Sequence, residues 1–127
     1  MKLYESTYYT FSLEGDTIIN RWSADTAKMS FQDFKDTLMN LAGYIIEHKS
    51  TKIIIDATNF QFSLPDDNIT WRNENFYPRI TKVGTKRQAL ILPKDYLAYA
   101  EDEIAESDMV QTRYFASETE AKDWLSS

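Results

Sequence analysis

The feature that most limits the fold of this chain is an alternation. Three short strand-like runs, "TKIIIDA" (51–57), "KRQALIL" (86–92) and "VQTRYF" (110–115), are separated by stretches with helical patterning. An apolar run bounded by polar residues, as at 53–55, marks a strand covered on both faces. The stretch before it, "MSFQDFKDTLMNLAGYIIEHK", places Phe31, Phe34, Leu38, Leu41 and Ile45 at steps of three and four, on one helical face. Ser30 with Asp33 makes a capping-box start for that helix. A second helix is predicted from about 65 to 83, with Ile69, Phe76, Ile80 and Val83 on one face and Pro78 kinking or dividing it. Gly84 suits the left-handed residue after its end. Asp95 is read as the cap of a third helix through Leu97, Ala100 and Ile104 to about 107. Ser117 with Glu120 boxes a last short helix carrying Trp124 and Leu125.

Before the alternation comes a hairpin. Tyr9, Phe11 and Leu13 alternate with Tyr8, Thr10 and Ser12, and "EGD" (14–16) turns the chain into "TIINRW" (17–22). The predicted order is β-β-α-β-α-β-α-β-α. That pattern implies an α/β fold with right-handed crossovers and a mostly parallel sheet of about five strands and about four helices. The hairpin supplies an antiparallel N-terminal edge strand. With 127 residues and no linker, repeat or low-complexity segment, residues 1–127 are expected to form one domain with a proper core.

Composition narrows the chemistry. The absence of cysteine removes disulfides, thiolate zinc sites and cysteine nucleophiles together. The three glycines, Gly15, Gly43 and Gly84, are far apart, so no glycine-rich phosphate loop is possible. A net charge of −6 lacks the footprint of a nucleic-acid binder or of a protein drawn to anionic membranes. The basic spots at Arg79, Lys82, Lys86 and Arg87 are explained by helix C-termini. The start "MKLYESTYYTF" turns polar too soon for a signal peptide, and the aliphatic stretches are far short of a membrane span. A cytoplasmic protein without cofactor or metal is expected.

The individual candidates are few. His48, the sole histidine, lies in the last turn of the first helix, where the dipole accounts for it. No G-x-S-x-G elbow is present to build a catalytic triad with it. Asp56 ends a buried strand, where a desolvated carboxylate could act as a base. The competing role, which we favour, is to accept hydrogen bonds from the turn at Thr58 and Asn59. Asp66 and Asp67 are expected to cap the second helix. The acidic run Glu101, Asp102, Glu103, Glu106 and Asp108 reads as a solvated face, without the D-x-D-x-D-G pattern of a calcium loop. Phe60, Phe62 and Trp71 cluster around the 58–67 loop, where they either plug the core or line a pocket or protein contact. Tyr4 and Tyr8 face either a dimer partner or solvent.

The stretches "KIIIDATNFQFSLPDD", "YPRITKVGTKRQALILP" and "VQTRYFASETEAKDWL" together resemble the STAS-like family, relatives of bacterial anti-sigma-factor antagonists, and its stand-alone branch in particular. The resemblance spans nearly the whole chain, and its more particular parts are the strand–acid–loop around Asp56 and the A-x-x-W-L tail at 121–125. It implies a right-handed β/α superhelix with parallel strands in sequence order, and a regulatory binding module rather than an enzyme. In the antagonists a D-S-S-G stretch at the start of the second helix carries a phosphorylatable serine. Here "SLPDD" (63–67) takes its place, with Ser63 nearby but the motif absent. Asp66 and Asp67 either imitate a permanent negative charge or only cap the helix. CRAL-TRIO lipid-binding proteins share the overall fold, yet a chain of this length is expected to have little room for so large a cavity.

The expectation is therefore a non-enzymatic STAS-like interaction module. It would bind a protein partner, or itself as a homodimer, through Thr58, Asn59, Phe60, Phe62, Ser63, Asp66, Asp67 and Trp71. The alternative is a small-molecule binder holding an apolar or amphipathic ligand between the second helix and the sheet, in a pocket lined by residues such as Trp71, Phe76 and Tyr77. An enzyme using Asp56 as base is a third and weaker reading.

Overall fold

The computed structural model describes residues 1–100 and 110–127. It is an α/β fold built on a six-stranded sheet: β1 (Lys2–Glu5), β2 (Tyr9–Glu14), β3 (Thr17–Trp22), β4 (Lys52–Asp56), β5 (Arg87–Ile91) and β6 (Gln111–Phe115). The strands lie side by side in chain order. β1, β2 and β3 pair antiparallel, and β3 through β6 pair parallel, as the alternation predicts. The antiparallel edge is one strand wider than expected, because "KLYE" adds β1 outside the hairpin. β1 is short and mostly exposed, with only Leu3 half-buried, so no two-fold apolar alternation announces it.

Five helices accompany the sheet among the described residues: α1 (Phe31–His48), α2 (Asn68–Asn75), α3 (Tyr77–Thr81), α4 (Lys94–Ala100) and α5 (Glu118–Leu125). α2 and α3 are the predicted second helix, divided at Phe76 just before Pro78 enters the first turn of α3. Proline there lacks an amide that would have no intrahelical partner anyway, so it starts a helix as readily as it interrupts one. Ser30 and Asp33 form the reciprocal capping box on α1. Ser117 caps α5 by accepting from the Glu120 amide, while the Glu120 carboxylate receives the Ser117 hydroxyl rather than a backbone amide. Gly84 follows α3 at φ +98, the left-handed region expected of it. A short 3-10 turn, Ala24–Lys28, was not anticipated.

Two expected caps are corrected. Asp67 occupies the position before α2, but its side chain makes no capping hydrogen bond. Its ψ of 4 is far from the extended backbone that aims a capping oxygen at the helix amides. The adjoining turn is closed instead by the Asn68 amide and side chain, which both donate to the Pro65 carbonyl, at 3.1 and 2.6 Å. Asp95 lies inside the first turn of α4 rather than before it, where its charge still complements the dipole. The predicted continuation of that helix to 107 and the acidic run from Glu101 to Asp108 lie outside the described residues.

Strand alternation sends successive side chains to two cores. Phe11, Ile18, Trp22, Ile53 and Ile55 pack with Phe34, Leu38, Leu41 and Ile45 of α1 and with Phe76, Tyr77 and Ile80 around α3. Ile19, Ile54, Ala89 and Ile91 point the other way and are covered by Ala121 and Leu125 of α5. This is why 53–55 reads as three consecutive apolar residues: β4 is central, and both of its faces are buried.

Candidate functional site: a cavity between the second helix and the sheet

β4 ends at Asp56, and the chain must turn away from the sheet there. Asp56 Oδ1 accepts from the Thr58 amide at 3.0 Å and from the Thr58 hydroxyl at 2.6 Å. This is the turn-closing role favoured from sequence, with Thr58 as the partner and no bond from Asn59. The Ala57 amide donates to the Ile91 carbonyl at 2.9 Å, which holds the start of the connection on the sheet. Beyond the turn the Gln61 amide donates to Thr26 Oγ1 at 2.8 Å. Thr26 is fully buried in the 3-10 turn, so that short element pins the far side of the loop. Phe60 then stands edge-on against Trp22 with centroids 5.1 Å apart, and Phe62 stands edge-on against Phe60.

The loop and α2 are held off the sheet, and the space between is a cavity of about 560 Å³. At roughly 30 Å³ per water in the liquid, that is room for far more than a few solvent molecules. The space exists because α2 is divided from α3, and only α3 and the residues at the junction pack down into the core. Within α2 itself Asn68 is the buried residue, while Ile69 is half-exposed to the cavity.

The floor comes from alternate residues of the parallel strands. Ile55 and Ala57 extend from β4, Gln88, Leu90 and Leu92 from β5, and Thr112 and Tyr114 from β6. Trp22, Phe34 and Leu38 close one side, and Leu64, Pro65, Ile69 and Phe76 form the wall opposite the sheet. The lining is mostly apolar, with polar groups gathered in two places. On the floor Gln88, 5% exposed, donates through Nε2 to the Tyr77 hydroxyl at 3.2 Å and to Thr112 Oγ1 at 3.3 Å. On the α2 side are Asp66, Asn68 and Arg72. The Arg72 guanidinium donates through Nη2 to Asn68 Oδ1 at 2.7 Å. An apolar cavity with a few placed polar groups, reaching over the sheet to the carboxyl ends of its parallel strands, is a form that small-molecule sites in α/β folds take.

The residues singled out from sequence divide around this cavity. Phe60 and Asp66 line it, and so do Phe76 and Tyr77. Thr58, Asn59, Ser63 and Asp67 are exposed on the loop and are not part of the lining. Phe62 is half-buried against the core outside the cavity. Trp71, expected in the lining, instead packs against the core outside it, where Lys35 of α1 approaches its ring at 5.9 Å. It is one residue before Arg72, and a step of about 100° around a helix is enough to change the face. Sequence reasoning missed Gln88 and Arg72, whose signal was available: a glutamine inside an apolar strand run, and an arginine flanked by the apolar face of a helix. Tyr4 and Tyr8 line a separate shallow groove with Asp33 and Asp36, and Tyr4 also stacks on Tyr9.

His48 ends α1, as expected. Among the described residues no three His, Cys, Asp or Glu side chains converge as metal ligands, and no helix is long and apolar enough to cross a membrane. Comparison of the chain with protein-family models, curated proteins and solved structures finds no match.

Proposed function

We propose that this chain is a small-molecule binding module of the STAS-like kind, holding an apolar or amphipathic ligand between α2 and the sheet. The observation that carries the reading is the cavity of about 560 Å³ with its largely apolar walls. That volume falls inside the range of about 300–1,000 Å³ typical of ligand pockets. The strand order and the antiparallel N-terminal edge support the architecture. On this reading the turn at Asp56 is scaffold, and it places the loop as one wall of the site.

N-phenyl-1-naphthylamine, an uncharged apolar fluorophore, tests this directly. The wild-type protein is expected to bind it saturably with one-to-one stoichiometry. Ala57→Trp, which fills the cavity floor, is expected to weaken binding by about tenfold or more while circular dichroism stays native. A wild type that binds no such probe, or a filled variant that binds equally well, overturns the reading.

A second reading, a protein-contact module, is favoured by one observation. Ser63 and Asp67 stand exposed on the same loop outside the cavity lining, and Leu64 and Asp66 are exposed at its rim. The two readings share a segment and are compatible, with the inner side facing the ligand and the outer side a partner.

A further inference from the structure

Resting on the ligand-binding reading, we infer that the ligand is a monocarboxylate: an acid head held by Arg72, with an apolar body laid along the sheet floor. Arg72 is half-buried in the cavity wall. Its Nη2 is spent on Asn68 Oδ1, but its Nε is buried and has no hydrogen-bond partner. Nor does Arg72 take part in any of the ion pairs among the described residues. A half-buried guanidinium that forms no ion pair among the described residues still has donors to place, and a carboxylate is the group whose two oxygens fit its planar fork.

The surroundings restrict the ligand further. Asn68 is 8% exposed and is fixed by its own bond to the Pro65 carbonyl, so it holds the guanidinium in place rather than competing for an acid. Arg72 is the sole cation among the described lining residues, and Asp66 stands on the same side of the cavity. The single positive charge of Arg72 suits a singly charged head, and the negative Asp66 opposes a more highly charged group such as phosphate. From Gln88 to Leu92 the floor runs four residue steps, about 13 Å at the usual strand rise, with Leu90 between them for an apolar body.

A matched pair of competitors tests the inference: decanoic acid and its methyl ester, each displacing N-phenyl-1-naphthylamine near neutral pH. The acid is expected to bind wild type about tenfold more tightly than the ester. Arg72→Gln is expected to bring the acid down to the ester's affinity, both measured against that variant's own fluorophore affinity. Asp66→Asn is expected to tighten the acid alone. If the fluorophore binds but acid and ester displace it equally, or if Arg72→Gln keeps the preference, the inference fails and the binding reading stands. If Arg72→Gln loses the fluorophore as well, Arg72→Lys carries the test. With the charge kept and the fork lost, its preference for the acid must shrink, and an unchanged preference overturns the inference. Failure of wild type to bind either the fluorophore or the acid overturns the binding reading and this inference together.

Discussion

Asn20 shows how much a single buried position can cost. It is fully buried on β3 opposite Phe11, and neither its amide nitrogen nor its oxygen has a hydrogen-bond partner. An unsatisfied buried amide carries its full desolvation penalty, whereas an apolar group of similar size carries none. Asn20→Leu is therefore expected to raise stability by about 1 kcal/mol, read as a higher urea midpoint at unchanged slope. A lower midpoint would show that the amide is satisfied in solution or that the added branch does not fit. Gln88 makes the contrast: equally interior to a strand, it is bonded to Tyr77 and Thr112 and faces the cavity.

Among the elements, the connection from β4 to α2 does two jobs with two sides. Its inner side is fixed by Asp56, Thr26 and the Phe60–Trp22 contact. The Asp67 carboxylate outside the cavity and the Asp66 carboxylate at its rim take no hydrogen bond from the described residues and stand exposed, with Phe62 half-buried beside them. Those carboxylates are free to meet a partner, which is what the contact reading requires. Phe62→Ala with Asp66→Asn is expected to weaken capture of a partner, or self-association measured by sedimentation, while the unfolding free energy falls by no more than about 2 kcal/mol. Unchanged association of the double variant would count against the contact reading.

Across the whole molecule, charged side chains tie the last helix to the first hairpin. Lys122 of α5 pairs with Glu14 of β2 at 2.7 Å and with Glu118 at 3.1 Å, and Glu118 also takes Arg21 of β3 at 2.8 Å. The Lys122 hydrogen bond holds the Glu14 carboxyl below its ordinary value of 4.5, against an opposing effect of burial. A carboxylate depressed in the folded state contributes stability above its unfolded value and loses it as pH falls through the folded one. Lys122, raised above 10.5 chiefly by Glu14, contributes below its unfolded value and loses that as pH rises through the folded one. Lys122 and Glu14 are both exposed, so that pair is worth at most about 1 kcal/mol and is weakened by salt. Glu14→Gln is expected to be slightly less stable than wild type at neutral pH. The difference should close as pH falls below 4.5 toward the lower folded value of Glu14. Urea titrations across that range check it; a difference independent of pH would mean that the pair contributes nothing.

What the sequence determined by itself was everything carried by local pattern. The period-two run at 9–13, the period-3.6 run from Phe31 to Ile45 and the doubly covered 53–55 each dictate an element, because backbone geometry sends their side chains to fixed faces. The Ser30–Asp33 box and Gly84 were legible for the same reason: a cap or a left-handed residue is a requirement met within a few positions. The alternation dictated a mostly parallel sheet with right-handed crossovers, whereas strands in chain order were implied only by the family resemblance and are seen in the structure. Only the tertiary structure decided the rest. β1 is a strand because β2 offers it a partner, not because its own residues call for one. Asp67 fails to cap because of a backbone angle set by the turn before it, and Trp71 misses the cavity by one helical step. The cavity itself belongs to no segment. It exists where α2 is held away from β4, β5 and β6, and empty space between distant elements leaves no periodicity in any one of them.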